Sequence, residues 1–262
     1  MPVIGGWKYS LDQFTHVGEW EIETYGPEQI ALTTESTGQV QISVDGVIDW
    51  QGTVTGFGYS PHVDPGDTFT FTGQVGNYGP SGPAIVSRST VQVNYEGNRP
   101  VQWAMEFAGN GDLTIASRTL EDTTPPEVIP ASSAVVKIND AVPTDLASVI
   151  LTLSNEVIGY SSTSTSGARK RIAGRFNAAA RLTFYGEGNL PYSIGSLIAL
   201  QIGDWKIFPL KIVNLASYGG GGEKADQPVT VNLLATFVGW DGNTKGYIIT
   251  PNKTIWGTPP SG

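Results

Sequence analysis

The segment Pro100-Val101-Gln102-Trp103-Ala104-Met105-Glu106-Phe107 decides the fold class, because an apolar side chain stands at every second position from Val101 to Phe107. An alternation with a period of two places apolar side chains on one face of a β-strand. The pattern returns 128 residues later in Pro228-Val229-Thr230-Val231-Asn232-Leu233-Leu234-Ala235-Thr236-Phe237. We therefore predict two related, half-buried strands, one in each half of the chain.

Other short matches recur at a similar spacing and indicate an internal duplication. Their offsets fall between 126 and 130 residues, and their order along the chain is kept. A period this long is the size of a whole domain. Two copies of one small domain favour assembly or binding through quasi-equivalent surfaces over a single catalytic cleft. The matches pair Glu28-Gln29-Ile30 with Glu156-Val157-Ile158, Phe57-Gly58 with Tyr185-Gly186, Gly66 with Gly195, and Pro83 with Pro209.

The remaining periodicity also favours strands. Val91, Val93 and Tyr95 alternate with polar residues, and Val40-Gln41-Ile42-Ser43-Val44 runs into Asp45-Gly46, which is a typical hairpin turn. No stretch has a sustained period of 3.6, and residues 143–147 allow at most one helical turn, with Thr144 as its N-cap. The sequence predicts an all-β protein with two tandem β-sandwich or barrel domains.

A proline pair separates the two copies. Residues 121–127 contain Pro125-Pro126, which lacks two backbone donors and cannot lie in a central strand. We therefore place the domains at residues 1–125 and 126–262, and we expect the last six residues to be frayed or ordered by a partner. The four glycines of residues 219–222 are not followed by Lys-Ser or Lys-Thr, so a flexible hairpin tip is favoured over a phosphate-binding loop.

Composition excludes several function classes. The 262 residues contain no cysteine, which removes disulfide frameworks, thiolate metal sites and cysteine nucleophiles. We find neither a secretory signal pattern nor an apolar run long enough to span a bilayer, so we expect a soluble protein without a membrane partner.

Candidate catalytic residues are few. The two histidines are His16 and His62, and no Gly-x-Ser-x-Gly motif occurs. His62 lies in Ser60-Pro61-His62-Val63-Asp64-Pro65-Gly66-Asp67, which is typical of a turn. Asp64 and Asp67 are more typical of a capped turn than of a cation site. We predict that the chain is not an enzyme, has no catalytic residues, and binds neither a cofactor nor a metal.

Charge is distributed unevenly along the chain. Residues 1–125 contain four basic and fifteen acidic residues, whereas residues 126–262 contain eleven basic and nine acidic residues. Five basic residues cluster in the second half, at Arg169, Lys170, Arg171, Arg175 and Arg181. A basic cluster suits nucleic acid, a solvated loop or an acidic protein surface. Because the whole chain is acidic, we favour contact with an acidic patch on a neighbouring subunit.

One stretch of the second half resembles a known family. It consists of Leu151-Thr152-Leu153-Ser154-Asn155-Glu156-Val157-Ile158-Gly159-Tyr160, a Ser/Thr-rich loop, and Gly167-Ala168-Arg169-Lys170-Arg171-Ile172-Ala173-Gly174. A strand ending in Asn-Glu-Val, followed by such a loop and a basic run closed by glycine, resembles the tail tube proteins of long-tailed bacteriophages. The resemblance extends over most of residues 20–245. In the first copy, Gln39-Val40-Gln41-Ile42-Ser43-Val44-Asp45 stands in place of the basic run.

The resemblance implies a structural protein of the virion tail, located in the host cytoplasm during assembly. In this family, β-sandwich domains form rings that stack into a hollow tube, through which DNA passes without specific binding. A duplicated chain would form a six-domain ring as a trimer, with a hexamer as the alternative, and would contact other tail proteins. Because basic residues cluster opposite an acidic first half, we predict subunit interfaces at Arg169, Lys170, Arg171, Arg175, Glu28 and Glu156.

Two alternatives stay open from the sequence. A tail-tip, baseplate or tail terminator protein would have the same fold. A tandem carbohydrate-binding module is the competing class, because tryptophans on exposed β faces stack on sugars. The candidate tryptophans for this role are Trp7, Trp50, Trp103, Trp205, Trp240 and Trp256.

Overall fold

A computed structural model describes residues 3–6, 17–26, 30–32, 42–44, 49–75, 77–117, 128–161, 168–186, 190–218, 230–243 and 245–257. Regular structure in these residues is almost entirely β. Two short 3₁₀ turns, Glu96–Asn98 and Ala131–Ser133, lie between strands. The strands are β1 (Val3–Gly6), β2 (Val17–Tyr25), β3 (Ile30–Leu32), β4 (Ile42–Val44), β5 (Asp49–Phe57), β6 (Thr68–Thr72), β7 (Tyr78–Asn94), β8 (Gln102–Gly109), β9 (Thr114–Ser117), β10 (Val136–Ile138), β11 (Leu146–Tyr160), β12 (Lys170–Tyr185), β13 (Leu197–Ile202), β14 (Trp205–Tyr218), β15 (Thr230–Phe237), β16 (Tyr247–Ile249) and β17 (Thr254–Trp256).

Fifteen of these strands form one antiparallel sheet. Its main path runs β1-β2-β5-β8-β7-β11-β12-β15-β14-β13-β10, while β6 and β9 pair with β7, β16 pairs with β14, and β17 pairs with β16. The strands β3 and β4 pair separately as a hairpin. The predicted all-β class is therefore confirmed. No helix in the described residues is long and apolar enough to cross a lipid bilayer.

The strand order repeats between the two halves. The path β2-β5-β8-β7 of the first half has the same order as β11-β12-β15-β14 of the second. The strand β6 pairs with β7 as β13 pairs with β14, and β9 pairs with β7 as β16 pairs with β14. The duplication predicted from short sequence matches is thus present in the topology.

Local irregularities repeat at the same offsets. The ladder between β7 and β8 shifts register between Val86 and Arg88, and the ladder between β14 and β15 shifts between Ile212 and Asn214. Ile212 and Asn214 each lie 126 positions after their counterparts, Val86 and Arg88. A β-bulge adds one residue to one strand and bends it locally. Recurrence of the bulge at the equivalent position extends the repeat from strand order to local register at this site.

The glycines Gly66 and Gly195 also occupy equivalent turns. Their φ angles are 92° and 90°, in a region that L side chains rarely adopt. The backbone N–H of Gly66 donates to the Val86 carbonyl at 2.8 Å, and that of Gly195 donates to the Ile212 carbonyl at 2.8 Å. Each glycine therefore enters the same turn before an equivalent strand, β6 or β13.

One sequence prediction needs correction, and three others fall outside the described residues. Residues 143–147 do not form a helical turn: Asp145 has a φ of 57°, and β11 begins at Leu146. The Asp145 carbonyl accepts a hydrogen bond from the Tyr185 backbone N–H at 2.8 Å, which directs the chain into the sheet. The predicted boundary near residue 125, the glycine run of residues 219–222 and the C-terminal tail beyond residue 257 lie outside the described residues.

The described residues form two apolar cores that differ in composition. The first contains Trp20, Trp50 and Trp103 with several phenylalanines. The second is largely aliphatic around Trp205 and Phe184, and it also takes in Val91, Val93 and Val101 of the first half. Three of the candidate sugar-stacking tryptophans, Trp50, Trp103 and Trp205, are therefore buried and unavailable to a ligand. Trp7 lies outside the described residues, whereas Trp240 and Trp256 are about half exposed, at 51% and 43%.

Candidate assembly surfaces

The two halves join edge to edge through a β ladder. The strand β11 of the second half pairs with the C-terminal part of β7 over seven residue pairs, from Ser148 opposite Asn94 to Ser154 opposite Arg88. On one face of this ladder, the hydroxyl oxygens of Thr90 and Thr152 lie 3.4 Å apart. The junction is therefore strand pairing within one chain, which we name the β7–β11 junction.

The basic run of β12 continues this junction beyond the ladder. The Arg171 guanidinium nitrogen Nη2 lies 2.6 Å from both carboxylate oxygens of Asp49, and Arg169 Nη1 lies 3.2 Å from Oδ2. The Arg171 backbone N–H donates to Asn110 Oδ1 at 2.6 Å, and Lys170 Nζ donates to the Asn110 carbonyl at 3.0 Å. Arg171 Nη1 also donates to the Gly109 carbonyl.

The Asp49–Arg171 ion pair is partly withdrawn from water. The side chains of Asp49 and Arg171 are 18% and 10% exposed. Burial alone would raise the pKa of Asp49, but hydrogen bonds and charge from Arg171, with a further hydrogen bond from Arg169, outweigh it and lower that pKa. The carboxylate is therefore ionised at neutral pH and holds the two halves together.

The structure brings together only part of the predicted interface set. Arg169, Lys170 and Arg171 contact the first half of their own chain, where the prediction had placed an acidic patch of a neighbouring subunit. Arg175 and Glu156 are exposed, no ion pair to either lies within the described residues, and Glu28 is outside them. Their role between subunits stays a prediction. The sequence analysis missed Asp49 and Asn110, which no local pattern distinguishes from the other polar residues of the first half.

A second polar contact joins the halves at a different place. Asp64 is fully buried, and its Oδ2 accepts a hydrogen bond from Thr250 Oγ1 at 2.9 Å. Burial raises the pKa of Asp64, although Thr250 and the charge of Lys253 act in the opposite direction. Lys253 also forms an ion pair with Asp67. The predicted capped turn at Asp64 and Asp67 is confirmed, since the Asp67 N–H donates to the Asp64 carbonyl at 3.0 Å and the Asp64 N–H to Asp67 Oδ2 at 3.1 Å.

The loop that follows β5 forms the third contact. Trp205 Nε1 donates to the Tyr59 carbonyl at 2.6 Å, and the Val135 backbone N–H donates to the Tyr59 hydroxyl at 3.1 Å. Tyr59 packs against the core of the second half. Three separate contacts therefore fix the relative position of the halves.

One face of the sheet is open and polar. Along β5, the pattern of buried and exposed residues alternates, with Gln51, Thr53 and Thr55 on the open side. The strand β11 continues this face with residues such as Thr152, opposite Thr90. Charged side chains on this face include those of Glu19, Glu21, Glu23, Glu106, Arg88, Arg181 and Lys211. Arg88 and Glu106 form an ion pair at 3.0 Å, and the acidic residues of this set outnumber the basic ones by one.

Within the described residues, no group of three or more His, Asp or Glu side chains is placed to hold a metal ion. His62 lies in a turn with a φ of 63°, and its backbone N–H donates to Ser60 Oγ at 3.0 Å. His16 is outside the described residues.

No protein-family model matches this chain, and no curated protein is significantly similar to it. The class that the geometry defines is an all-β chain with a duplicated strand order, joined edge to edge, whose prominent surfaces are a polar sheet face and strand edges.

Proposed function

We propose that this protein is a structural subunit of a bacteriophage tail tube, with two tandem tube-type β domains that assemble into stacked hollow rings. The β7–β11 junction is the observation that carries the proposal. It joins two equivalent units through two different edges, so the contact is heterologous in form. A heterologous contact that is repeated between chains generates either a closed ring or an open filament.

The number of chains in the ring follows from the duplication. Each chain supplies two equivalent units, so three chains give the six units of the ring that the family resemblance implies. Within such a trimer, three junctions would lie inside chains and three between chains. The contacts of Asp49 and Asp64 would hold the halves in the same relative position in every subunit.

The open sheet face suits the wall of a channel for DNA. Its neutral side chains are mostly Ser, Thr, Asn, Gln and Ala, and its acidic residues outnumber its basic ones. Phosphate groups bind where lysines and arginines neutralise them, so a face without a basic excess lets DNA slide rather than bind. The chain would act in the virion tail, after assembly in the host cytoplasm with other tail proteins.

Electron microscopy and mass photometry across a concentration series test the proposal. We expect rings of three chains with six lobes, which stack into tubes as concentration rises. Rings that never stack would indicate a tail terminator or tail-tip role. Single chains at every concentration, together with no incorporation into preformed tail assemblies, would contradict a tube subunit.

The half-exposed Trp240 and Trp256 support a second candidate, a carbohydrate-binding module. Trp256 packs edge-on against Phe237 with ring centroids 5.4 Å apart, which leaves part of its indole accessible. A glycan array on the same purified protein tests this candidate. Binding that is lost in Trp240→Ala and Trp256→Ala would favour it, whereas the tube proposal predicts no glycan binding.

A further inference from the structure

The N-terminal strand β1 occupies a strand edge that has an equivalent in the second half. It pairs with β2, with Ile4 opposite Ile22 and Gly6 opposite Trp20. The next strand on the other side of β2 is β5, where Trp20 lies opposite Val54. The strand β2 is therefore a covered edge of the sheet in the single chain.

The equivalent of β2 is β11, and the register between them is fixed by a shared bulge. The ladder of β2 with β5 shifts register between Val17 and Glu19, and that of β11 with β12 shifts between Leu146 and Ser148. Leu146 and Ser148 each lie 129 positions after their counterparts, Val17 and Glu19. At the same offset, Trp20 and Ile22 correspond to Val149 and Leu151. On β11, those two residues pair with Val93 and Val91 of β7. Consequently, β1 occupies on β2 the place that β7 occupies on β11.

The equivalent of β7 is β14, and its corresponding edge is open. Asn214 lies opposite Leu234 directly after the bulge, as Arg88 lies opposite Glu106. Residues 88–94 of β7 carry β11 on their other side. Among the strands that the structure describes, none pairs with that side of residues 214–218. Among the described strands, the edge of β14 that corresponds to the paired edge of β7 is thus open, and the edge of β2 that corresponds to the paired edge of β11 is covered by a short strand.

We propose that β1 is a placeholder, which β14 of a second copy replaces on β2 when subunits join. The register follows from the β7–β11 junction: Ala216 would lie opposite Glu23, Ser217 opposite Ile22, and Tyr218 opposite Glu21 of the neighbour. This inference rests on the proposed assembly into rings, and it names the two edges that meet.

The composition of β1 suits a strand that is displaced. It has four residues, Val3-Ile4-Gly5-Gly6, and its two glycines weaken a strand because they have no side chains to pack. An uncovered strand edge is a template for uncontrolled pairing between chains. A short, weak strand covers the edge of β2 in free subunits, yet yields to the longer β14.

Removal of residues 2–6, with Met1 kept, tests the placeholder. We expect the protein concentration needed for ring formation to fall about tenfold, which is the change expected if displacing β1 costs the equivalent of one or two net hydrogen bonds. The double variant Val3→Cys/Glu23→Cys provides the opposite test, because these residues lie opposite each other. Its oxidised form should not assemble, and reduction should restore assembly.

A second disulfide tests the register directly. The chain contains no cysteine, so every introduced disulfide is unambiguous. Ala216→Cys/Glu23→Cys should give disulfide-linked trimers on denaturing gels. The matched control is Thr90→Cys/Thr152→Cys, the equivalent pair inside the β7–β11 junction, which should form a disulfide within one chain without linking chains.

The outcomes separate this inference from the proposed function. If the unmodified protein forms rings, but the truncated protein needs the same or a higher concentration, the placeholder is wrong and the tube subunit stands. If the rings form without disulfides between Cys variants of Ala216 and Glu23, the register is wrong. If no variant self-associates and no disulfide links chains, both the inference and the proposed function are overturned.

Discussion

Arg171 Nη2 lies 2.6 Å from both carboxylate oxygens of Asp49, although the two residues are 122 positions apart in the chain. The contact lies where the hairpin of β11 and β12 extends past the last paired residue of β7 and reaches the first half. Strand pairing alone leaves this extension without a partner on the first half. The ion pair therefore ties this end of the hairpin to the start of β5 in the first half.

Replacement of Arg171 should weaken the union of the halves. In Arg171→Ala, the largely buried Asp49 carboxylate loses its main partner, and we expect the free energy of unfolding to fall by about 2–3 kcal/mol. Arg171→Lys should recover only part of this loss, because an ammonium group cannot reach both Asp49 and the Gly109 carbonyl in the same geometry. Denaturant unfolding measures both changes. Arg175→Ala is the control, since Arg175 is exposed on the same strand, and it should change stability by less than about 0.5 kcal/mol.

Acidification should remove the contribution of Asp49. Its pKa in the folded protein is lowered relative to the unfolded chain, so the stabilisation is complete above about pH 3.9 and is lost as the pH falls through the lower folded value. Unfolding curves of the native protein and of Asp49→Asn, taken between neutral and strongly acidic pH, measure this. The native protein should lose its advantage over the variant in that window. An advantage that is constant with pH would show that the carboxylate charge contributes nothing.

The sequence predicted strands and their repetition better than their pairing. The alternations at residues 101–107 and 229–237 fall on β8 and β15, because a half-buried strand needs that pattern whichever strands flank it. The matched glycines Gly66 and Gly195 also occupy equivalent turns, since positive φ restricts the choice of residue locally. The β7–β11 junction left no comparable trace in the sequence. Edge pairing depends on which strands meet in space, and threonines such as Thr90 fit any solvated strand face.

The position of the candidate contacts was harder still to predict. The basic run was found from composition, but its partner Asp49 is one of fifteen acidic residues in residues 1–125. Nothing near Asp49 in the chain indicates that β5 begins where the β12 hairpin will lie. The burial of Asp64 is equally hidden, because its donor, Thr250, is 186 residues away. Such pairs can be identified only from the three-dimensional arrangement of the strands.

Thr250→Val should destabilise the protein at neutral pH. The valine removes the hydroxyl that donates to the buried Asp64 carboxylate, and we expect a loss of about 1–3 kcal/mol. The folded pKa of Asp64 is raised above that of the unfolded chain. Ionisation of Asp64 therefore costs the folded state stability as the pH rises from about 3.9 through the folded pKa. The deficit of the variant should therefore shrink in acid. Thr254→Val, at an exposed position of β17, is the control, and an equal loss there would contradict this role of Thr250.

Gly52→Ala should disrupt the first core. A Cβ at this position would lie 2.5 Å from Phe107 Cζ and 2.7 Å from the Glu21 carbonyl oxygen, and the backbone cannot retreat without breaking the sheet. Overpacking of this kind lowers stability by about 1–3 kcal/mol. In the second half, the pair Ala180 and Ala235 takes the place of Gly52 and Phe107. Side-chain volume is therefore divided differently across the equivalent pair of strands. Gly26→Ala, with no heavy atom within 4 Å of the new Cβ, should be nearly neutral in thermal unfolding.

Reversal of charge on the open face should turn a sliding surface into a binding one. Glu21 and Glu106 are exposed there, on β2 and β8, and the double variant Glu21→Lys/Glu106→Lys changes the charge of each chain by four. Because lysines bind phosphates with release of counterions, assembled variant rings should retain duplex DNA at low salt and release it steeply as salt rises. Fluorescence anisotropy of labelled DNA measures this, with native rings expected to show no binding. Glu96→Lys places a positive charge in the exposed 3₁₀ turn between β7 and β8, outside the strands of the open face, and should leave DNA unbound. Equal DNA binding by the Glu96 variant, or none by the double variant, would show that this face does not line the channel.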